Sequence, residues 1–348
     1  MTSASVLSGR HVLLTGGTGF VGRHVLPVLL AAGARVTCLV RATSRTAHLP
    51  TAVNLVEADL RTGQGLAAAV EGKDIVIHMA ALLFGLGWQD YLAANVLAAE
   101  HLARALAQKR ARCLLMSSLA ATGPCGQAPG VGDDAVPAPV SAYGWSKLLA
   151  EQTLAAALGE RLVVLRPPII YGSGDKGLLP MFRGVARGLA VSPGLGREFP
   201  VSAVHADDMA RAVLCACRPQ AHGVYHCNDG QVYTMSHLCR AMSRAVAQAL
   251  GRPLRPLHCL HMPLPVLAFT AGLSSALGKL IHACGRQLTG RGLHRAPEWN
   301  LDKYREARQA GWLSDGSRMC AELGFEPQVG LDAGMLEAAQ GYVREGWL

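Results

Sequence analysis

The sequence predicts an α/β protein, a doubly wound parallel Rossmann sheet joined to a smaller C-terminal substrate-binding domain. Near the N-terminus, His11-Val12-Leu13-Leu14 runs into Thr15-Gly16-Gly17-Thr18-Gly19-Phe20-Val21-Gly22 and then into the apolar run Val25 to Ala32, closed by Gly33. That order reads as strand, glycine turn and helix. Short apolar runs and Ala/Leu-rich helical stretches then alternate as far as Arg166, as βαβ units do in a parallel sheet. Half of the 348 residues are hydrophobic but only 5% are aromatic, which suits such a sheet covered by Ala/Leu helices.

The glycine turn is spaced G-x-x-G-x-x-G. One glycine lets the chain turn, one lets the backbone approach a phosphate, and one lets the helix pack on its strand. The free N–H groups and positive end of the new helix favour an anion, here the pyrophosphate of a dinucleotide. Pro27 falls inside that helix and is expected to kink it. A second strand spans Arg35 to Arg41. A third, Val53 to Val56, ends in Glu57-Ala58-Asp59-Leu60. Gln64 to Val70 is a short helix, Ile75-Val76-Ile77 begins a fourth strand, and Tyr91 to Lys109 is a long helix. Leu114 to Met116, Ala142 to Leu158 and Leu162 to Leu165 continue as strand, helix and strand.

Beyond Arg166 the turn-rich pieces Pro167-Pro168, Gly172-Ser173-Gly174 and Pro193-Gly194-Leu195-Gly196 loosen the pattern. Asp207 to Cys217 reads as a helix returning to the first layer, and Asp332 to Val343 as a closing helix. The predicted organisation is therefore a tail at 1–9, a dinucleotide-binding domain at 10–166 rejoined by 203–224, and a mainly substrate-binding part at 167–202 and 225–348. The ligand cleft is expected at the carboxyl ends of the strands.

The formal charge of +9 reads as spread along the chain without a basic block, a solvated Arg-rich surface rather than a nucleic-acid site. The ten cysteines form no C-x-x-C pair, and the histidines, among them His205 and His226, show no metal-ligand spacing, so no metal is expected. Scattered thiols and the absence of a signal-peptide apolar region in the first nine residues predict a cytoplasmic protein. Met262 to Ile281 is the longest apolar stretch, cut by Pro263, Pro265, Gly272, Gly278 and Lys279. A spanning helix needs roughly 20 uninterrupted apolar residues, so none is expected. The stretch is read first as a buried helix, then as a lid over an apolar substrate, then as a peripheral membrane contact through 262–281.

Tyr143 and Lys147 lie four apart on one predicted helix and share a face. A lysine cation beside a phenol favours the phenolate. Ser117-Ser118 follows the fifth strand, where a hydroxyl can meet a substrate carbonyl.

Together these stretches resemble the short-chain dehydrogenase/reductase superfamily in its extended, epimerase-like form. The resemblance runs through Thr15 to Gly22, Asp59-Leu60, His78-Met79-Ala80-Ala81, Asn95, Ser117-Ser118 with Thr122-Gly123, and Tyr143-Gly144-Trp145-Ser146-Lys147. It continues through Leu165-Arg166-Pro167, Ile169-Ile170-Tyr171-Gly172, Val204-His205-Ala206-Asp207-Asp208 and Leu323-Gly324-Phe325-Glu326-Pro327. It implies that Tyr143 exchanges the proton at the reacting oxygen, and that Lys147 holds the nicotinamide ribose and lowers the phenol. It implies that Ser118, with Ser117 as the alternative, hydrogen-bonds the substrate oxygen and that Asn95 supports the site. Gly16, Thr18, Gly19, Phe20, Val21 and Gly22 would hold the pyrophosphate, Asp59 and Leu60 the adenine, and Ala80 and Ala81 would line the cofactor cleft. Capping is the alternative for Asn95 and Asp59.

NAD readers place an acidic residue about 20 positions after the glycine turn. Here the second strand ends Leu39-Val40-Arg41-Ala42-Thr43-Ser44-Arg45. Arg41, with Arg45 or Ser44, suits a 2′-phosphate, so NADP is expected over NAD. Leu119-Ala120 stand where sugar dehydratases of this fold carry an acidic pair, so dehydration lacks its acid and base. The better match is the branch of 3β-hydroxysteroid dehydrogenases and dihydroflavonol reductases. The expected activity is NADP(H)-dependent interconversion of a ketone or aldehyde and a secondary alcohol on a hydrophobic small molecule of sterol, flavonoid, polyketide or acyl type. A nucleotide-sugar epimerase using NAD, and a non-catalytic NAD(P)-binding scaffold, are the alternatives. A homodimer through the helices Tyr91–Lys109 and Ala142–Leu158 is allowed but not required.

Overall fold

The computed structural model describes residues 6–194, 198–289 and 296–348; the first five residues of the expected tail and the turn residues Leu195 and Gly196 lie outside these. Strands β1 (His11–Thr15), β2 (Arg35–Val40), β3 (Asn54–Glu57), β4 (Ile75–His78), β5 (Arg112–Met116) and β6 (Leu162–Arg166) match the predicted strands to within one or two residues. After them come β7 (Ile169–Tyr171), β8 (Leu189–Pro193), β9 (Pro200–Val201), β10 (Ala203–His205), β11 (Gly223–His226), β12 (Tyr233–Thr234) and β13 (His258–Met262). The central parallel sheet has seven strands in the order β11-β6-β5-β4-β1-β2-β3. The chain runs outward from β1 to β2 and β3, then crosses to β4 on the other side. That reversal opens a crevice between the ends of β1 and β4, where Thr15 pairs with His78, and ligands of such sheets bind there.

Helices cover both faces. They are α1 (Phe20–Ala31), α2 (Leu66–Ala69), α3 (Trp88–Tyr91), α4 (Leu97–Leu106), α5 (Leu119–Thr122), α6 (Ala142–Leu158), α7 (Leu179–Ala186), α8 (Ala206–Ala216) and α9 (Met235–Ala249). The last four are α10 (Leu264–Thr289), α11 (Leu301–Ala307), α12 (Ser317–Leu323) and α13 (Leu331–Arg344). Strand side chains alternate between faces. Val12, Leu14, Val36, Ile77 and Leu165 pack on one side with Leu26 and Leu29 of α1 and Met209 and Val213 of α8. Leu13, Val76, Leu115 and Val164 pack on the other with Leu102 of α4 and Leu154 of α6. A separate core joins Phe182 of α7, Met242 of α9 and Met335 of α13. The return to the first layer is wider than 203–224. β11 completes the sheet, and Met319, Leu323 and Phe325 pack into the α1–α8 core.

α1 carries Pro27 inside it, as expected. Two expectations need correction. The long helix expected from Tyr91 starts at Trp88, passes through a π-helical turn at Leu92–Val96 and stops at Leu106. The extra residue of a π turn re-aims the side chains beside it, and this turn carries the buried Asn95. The Met262–Ile281 stretch is neither broken nor buried. Pro263 precedes α10 and Pro265 sits in its first turn, where a missing N–H is harmless, while Gly272 and Gly278 remain helical. The resulting 26-residue helix is long and apolar enough to cross a membrane by length and composition alone, but most of it lies exposed on the surface of the fold.

Behind the sheet ends lies a buried ion pair. Glu151 of α6 accepts two bonds from the Arg166 guanidinium, at 3.1 and 2.6 Å, and a third from the Ser117 hydroxyl. The two charged side chains are 7% and 5% exposed, so each depends on the other for its desolvation. Glu151→Leu leaves Arg166 uncompensated and is expected to lower the unfolding free energy by about 3–5 kcal/mol, read from urea unfolding curves. A loss below about 1 kcal/mol, the range of an exposed pair, would show that the pair does not hold α6 to β6.

Candidate active site

The glycine turn sits at the crevice. Gly16 has φ +77°, and a Cβ there would lie 2.8 Å from the Ala80 nitrogen. A Cβ on Gly22 would lie 2.5 Å from the carbonyl oxygens of both Gly16 and Gly17. The turn and the first helical turn are thus too close for any side chain at these two positions. Gly19 caps α1 with no side-chain acceptor for its first N–H groups. Thr15 Oγ1 bonds His78 Nδ1 at 2.8 Å and accepts the Ala80 N–H at 3.2 Å, which ties the ends of β1 and β4 together. Burial, and then the Lys147 charge, pull His78 down to about 3, so its imidazole is neutral. A narrow backbone cradle at a helix start, walled by Ala80, fits a dinucleotide pyrophosphate.

At the end of β2, Arg41 and Arg45 are exposed, and Arg41 N–H donates to Ser44 Oγ at 3.0 Å. Asp59 caps its own turn, accepting the Arg61 N–H at 2.8 Å, and Leu60 O bonds His101 Nδ1 at 2.9 Å. The capping alternative for Asp59 is therefore what the structure displays.

The candidate reacting groups come from α5 and α6. Ser118 is the N-cap of α5, its Oγ accepting the Ala120 N–H at 3.2 Å, and its hydroxyl stands close enough to the Tyr143 phenol to draw that phenol down. Ser117 turns the other way, to Glu151. Of the two hydroxyls, only Ser118 meets the phenol. Asn95 exchanges bonds with the Leu82 backbone at 2.8 and 3.1 Å and donates to Ser146 Oγ at 2.9 Å. It locks the π turn to α6 beside the site.

Lys147 Nζ donates to Met116 O at 2.6 Å. Burial lowers this lysine to about 8, with Glu151 opposing. The cation over the phenol is a different one. Lys303 Nζ stands 4.7 Å from the Tyr143 ring centroid and donates to Glu306 Oε2 at 2.8 Å. Burial pushes the Tyr143 phenol above its ordinary value, while Lys303 and the Ser118 hydroxyl pull it down and Glu306 opposes them. The expectation that Lys147 draws the phenol down is thus not met in this structure. Burial leaves the phenol raised, and the opposing charge comes from α11. Burial also pulls on Lys303, but Glu306, Tyr143 and Asp302 outweigh it and hold the amine above the usual lysine range.

Sequence reasoning does not reveal the α11 contribution. Asp302 accepts the backbone N–H of Ala142 at 2.6 Å and of Tyr143 at 3.1 Å, capping α6 from outside. Glu306 accepts the Ser141 hydroxyl at 2.7 Å. The one local signal is Asn300, whose side chain caps α11 by accepting the Asp302 and Lys303 N–H groups at 3.0 Å. His205 and His226 serve internal contacts. His226 bonds Asp133 at 2.6 Å and Thr122 at 2.9 Å, and His205 caps α8 and meets Glu337 at 3.3 Å.

The curated relatives of the chain include a ceramide reductase of Caulobacter vibrioides, 28% identical over 97% of this chain and 96% of that protein. They also include a 3-beta-hydroxysteroid dehydrogenase of Mycolicibacterium neoaurum, 27% identical over 70% of this chain and 71% of that one. The fold is shared with the NAD-bound UDP-glucuronic acid 4-epimerase of Bacillus cereus, with TM-score 0.71 and 17% identity, covering 97% of this chain and 100% of that one. Residues 12–228, from β1 through β11, match the NAD dependent epimerase/dehydratase family, and with the glycine cradle and the Tyr143–Lys147 helix in place the chain belongs to that family.

Proposed function

We propose that the protein is an NADP(H)-dependent reductase that interconverts a ketone and a secondary alcohol on a hydrophobic, ceramide-like lipid. The observation that carries the reaction type is the Ser118 hydroxyl beside the Tyr143 phenol, with Lys147 one turn further along α6. The lipid class draws on the Caulobacter vibrioides relative, whose match extends through the chain beyond β11 as well as the Rossmann half. A nucleotide-sugar epimerase is the second reading, favoured by the fold shared with the Bacillus cereus enzyme.

Gly16, Thr18, Gly19, Phe20, Val21 and Gly22 would hold the pyrophosphate. Arg41 and Arg45 would take a 2′-phosphate, Asp59 and Leu60 would border the adenine, and Ala80, Ala81 and Lys147 would position the nicotinamide ribose. When bound, NADPH supplies a hydride to the carbonyl carbon. Tyr143 gives its proton to the carbonyl oxygen, and Ser118 holds that oxygen as charge develops on it. A phenol held above its ordinary value is protonated at neutral pH, as reduction requires. Lys303 stabilises the phenolate left behind.

Tyr143→Phe is expected to cut the rate of carbonyl reduction by about a hundredfold to ten-thousandfold with little change in NADPH affinity; unaltered turnover would exclude the mechanism. Arg41→Ala removes a charge-assisted contact to the 2′-phosphate and is expected to weaken NADPH binding by about tenfold or more while leaving NADH binding unchanged. Equal affinity of the unmodified protein for both cofactors would contradict the NADP assignment. Lys303→Met removes the cation that holds Tyr143 down, so the phenol rises further. The alkaline limb of the reduction pH profile is expected to move to higher pH, alcohol oxidation at fixed pH to slow, and Lys303→Arg to restore both. An unshifted profile would assign Lys303 to packing alone.

A further inference from the structure

The side chains of α10 divide sharply. Leu267 and Ala271 are buried, and Gly278 packs against Pro297 and Leu86. Thr270 accepts the Trp299 indole N–H at 3.1 Å, Ser274 donates to Trp299 O at 2.7 Å, and Ser275 accepts the Leu301 N–H at 2.9 Å. One face of the helix is therefore fastened along the body of the protein, just before α11. The outward side carries Val266, Phe269, Leu273, Leu277, Leu280 and Ile281 at helical spacing. All six are exposed, Phe269 at 72% and Leu273 and Leu280 at 59%. An unbroken outward stripe of this length marks an interaction surface.

The charges indicate what covers it. Between residues 230 and 297 the sequence has eight Lys and Arg residues and no Asp or Glu, so this segment carries all but one of the chain's nine net positive charges. The expectation of evenly spread charge is thus corrected: the cations are scattered, but the acids are missing from one segment. Arg252, Arg255, Lys279 and Arg286 of this segment are exposed. A second copy of the chain on the same face would bring two such cationic segments together. An anionic surface would be attracted, and each cation close to it strengthens binding about fivefold.

We propose that α10 docks the protein on a bilayer containing anionic phospholipid, with the Val266–Ile281 stripe in the acyl boundary and the surrounding cations among the headgroups. The helix lies in the interface and does not span it, because its other face is bonded to Trp299 and Leu301. Leu86, which touches α10, belongs to the loop that also carries Phe84, and Phe84 faces the Lys303 amine at 5.5 Å. The fastened face of α10 is thus linked through residues 84–86 to Lys303 of the candidate active site.

The test is flotation of the full-length protein with vesicles, read without turnover so that its outcome is independent of the proposed reaction. Wild type is expected to float with phosphatidylcholine vesicles containing phosphatidylglycerol, and much less at high salt or with phosphatidylcholine alone. Phe269→Ser with Leu273→Ser removes two large apolar contacts from an exposed face and is expected to weaken flotation by about a hundredfold or more without changing the thermal midpoint. A separate full-length Leu277→Trp protein is expected to show a blue-shifted fluorescence increase on vesicle addition beyond that of wild type, which reads burial of the stripe even where a serine variant misfolds. Failure of wild type to float, unchanged flotation of the double variant, or a Leu277→Trp protein whose fluorescence responds no more than that of wild type overturns the proposal. So does a salt-resistant dimer in solution that the double variant dissociates, which would give the face to a second copy.

Discussion

The Asp302 carboxylate holds this architecture together at the point where chemistry is expected. It accepts the first two free N–H groups of α6, which otherwise stay unpaired at a helix start, and its negative charge sits at the positive end of the helix dipole. Because Tyr143 is the second residue of that helix, the cap fixes the backbone of the candidate proton donor. It also draws the neighbouring residues of α11 into place, so that Lys303 comes over the phenol and Glu306 reaches Ser141. A Rossmann sheet positions the cofactor crevice by itself, but the face of Tyr143 is completed by a helix 160 residues later in the chain.

Much of this is legible in the sequence, for local reasons. The glycine turn is readable because backbone proximity at Gly16 and Gly22 admits no other residue. α6 begins and ends where expected, at Ala142 and Leu158, with the structure adding a Ser141 cap at its start. Tyr143 and Lys147 are readable from their spacing on one helix face, while the choice of Ser118 over Ser117 is what the family resemblance implies. Other features are not legible because they depend on contacts distant in sequence. α11 is seven residues long and polar, too short for periodicity, and its side chains acquire meaning only against Ala142 and Tyr143. The π turn at Leu92–Val96 is set by what Asn95 meets at Leu82 and Ser146. Pro263 and Pro265 read locally as breakers of a helix that they in fact start. The apolar stretch after them reads as buried because nothing local says which face of a helix the fold leaves outside.

The electrostatics of the site are divided between two lysines. Lys147 is buried behind Tyr143 against the Met116 carbonyl, with Glu151 and Arg166 forming a closed pair beyond it. Lys303 is in front, with its side chain 20% exposed and paired with Glu306. Under the proposed reading the amine at the back would meet the cofactor in the β1–β4 crevice, and the amine at the front lies over the phenol. α10 then links that front to the basic, apolar surface, since Trp299 and Leu301 bond α10 within a few residues of Lys303.

The most direct test of hydride transfer to a lipid ketone follows label from NADPH deuterated at the transferring position of nicotinamide C4, supplied with a long-chain keto lipid amide. Stoichiometric oxidation of the cofactor is expected, with deuterium at the carbinol carbon of the product alcohol. An epimerase returns the hydride to its own substrate, so product formed with no net cofactor oxidation, or with the label retained in the cofactor, would contradict the reductase reading.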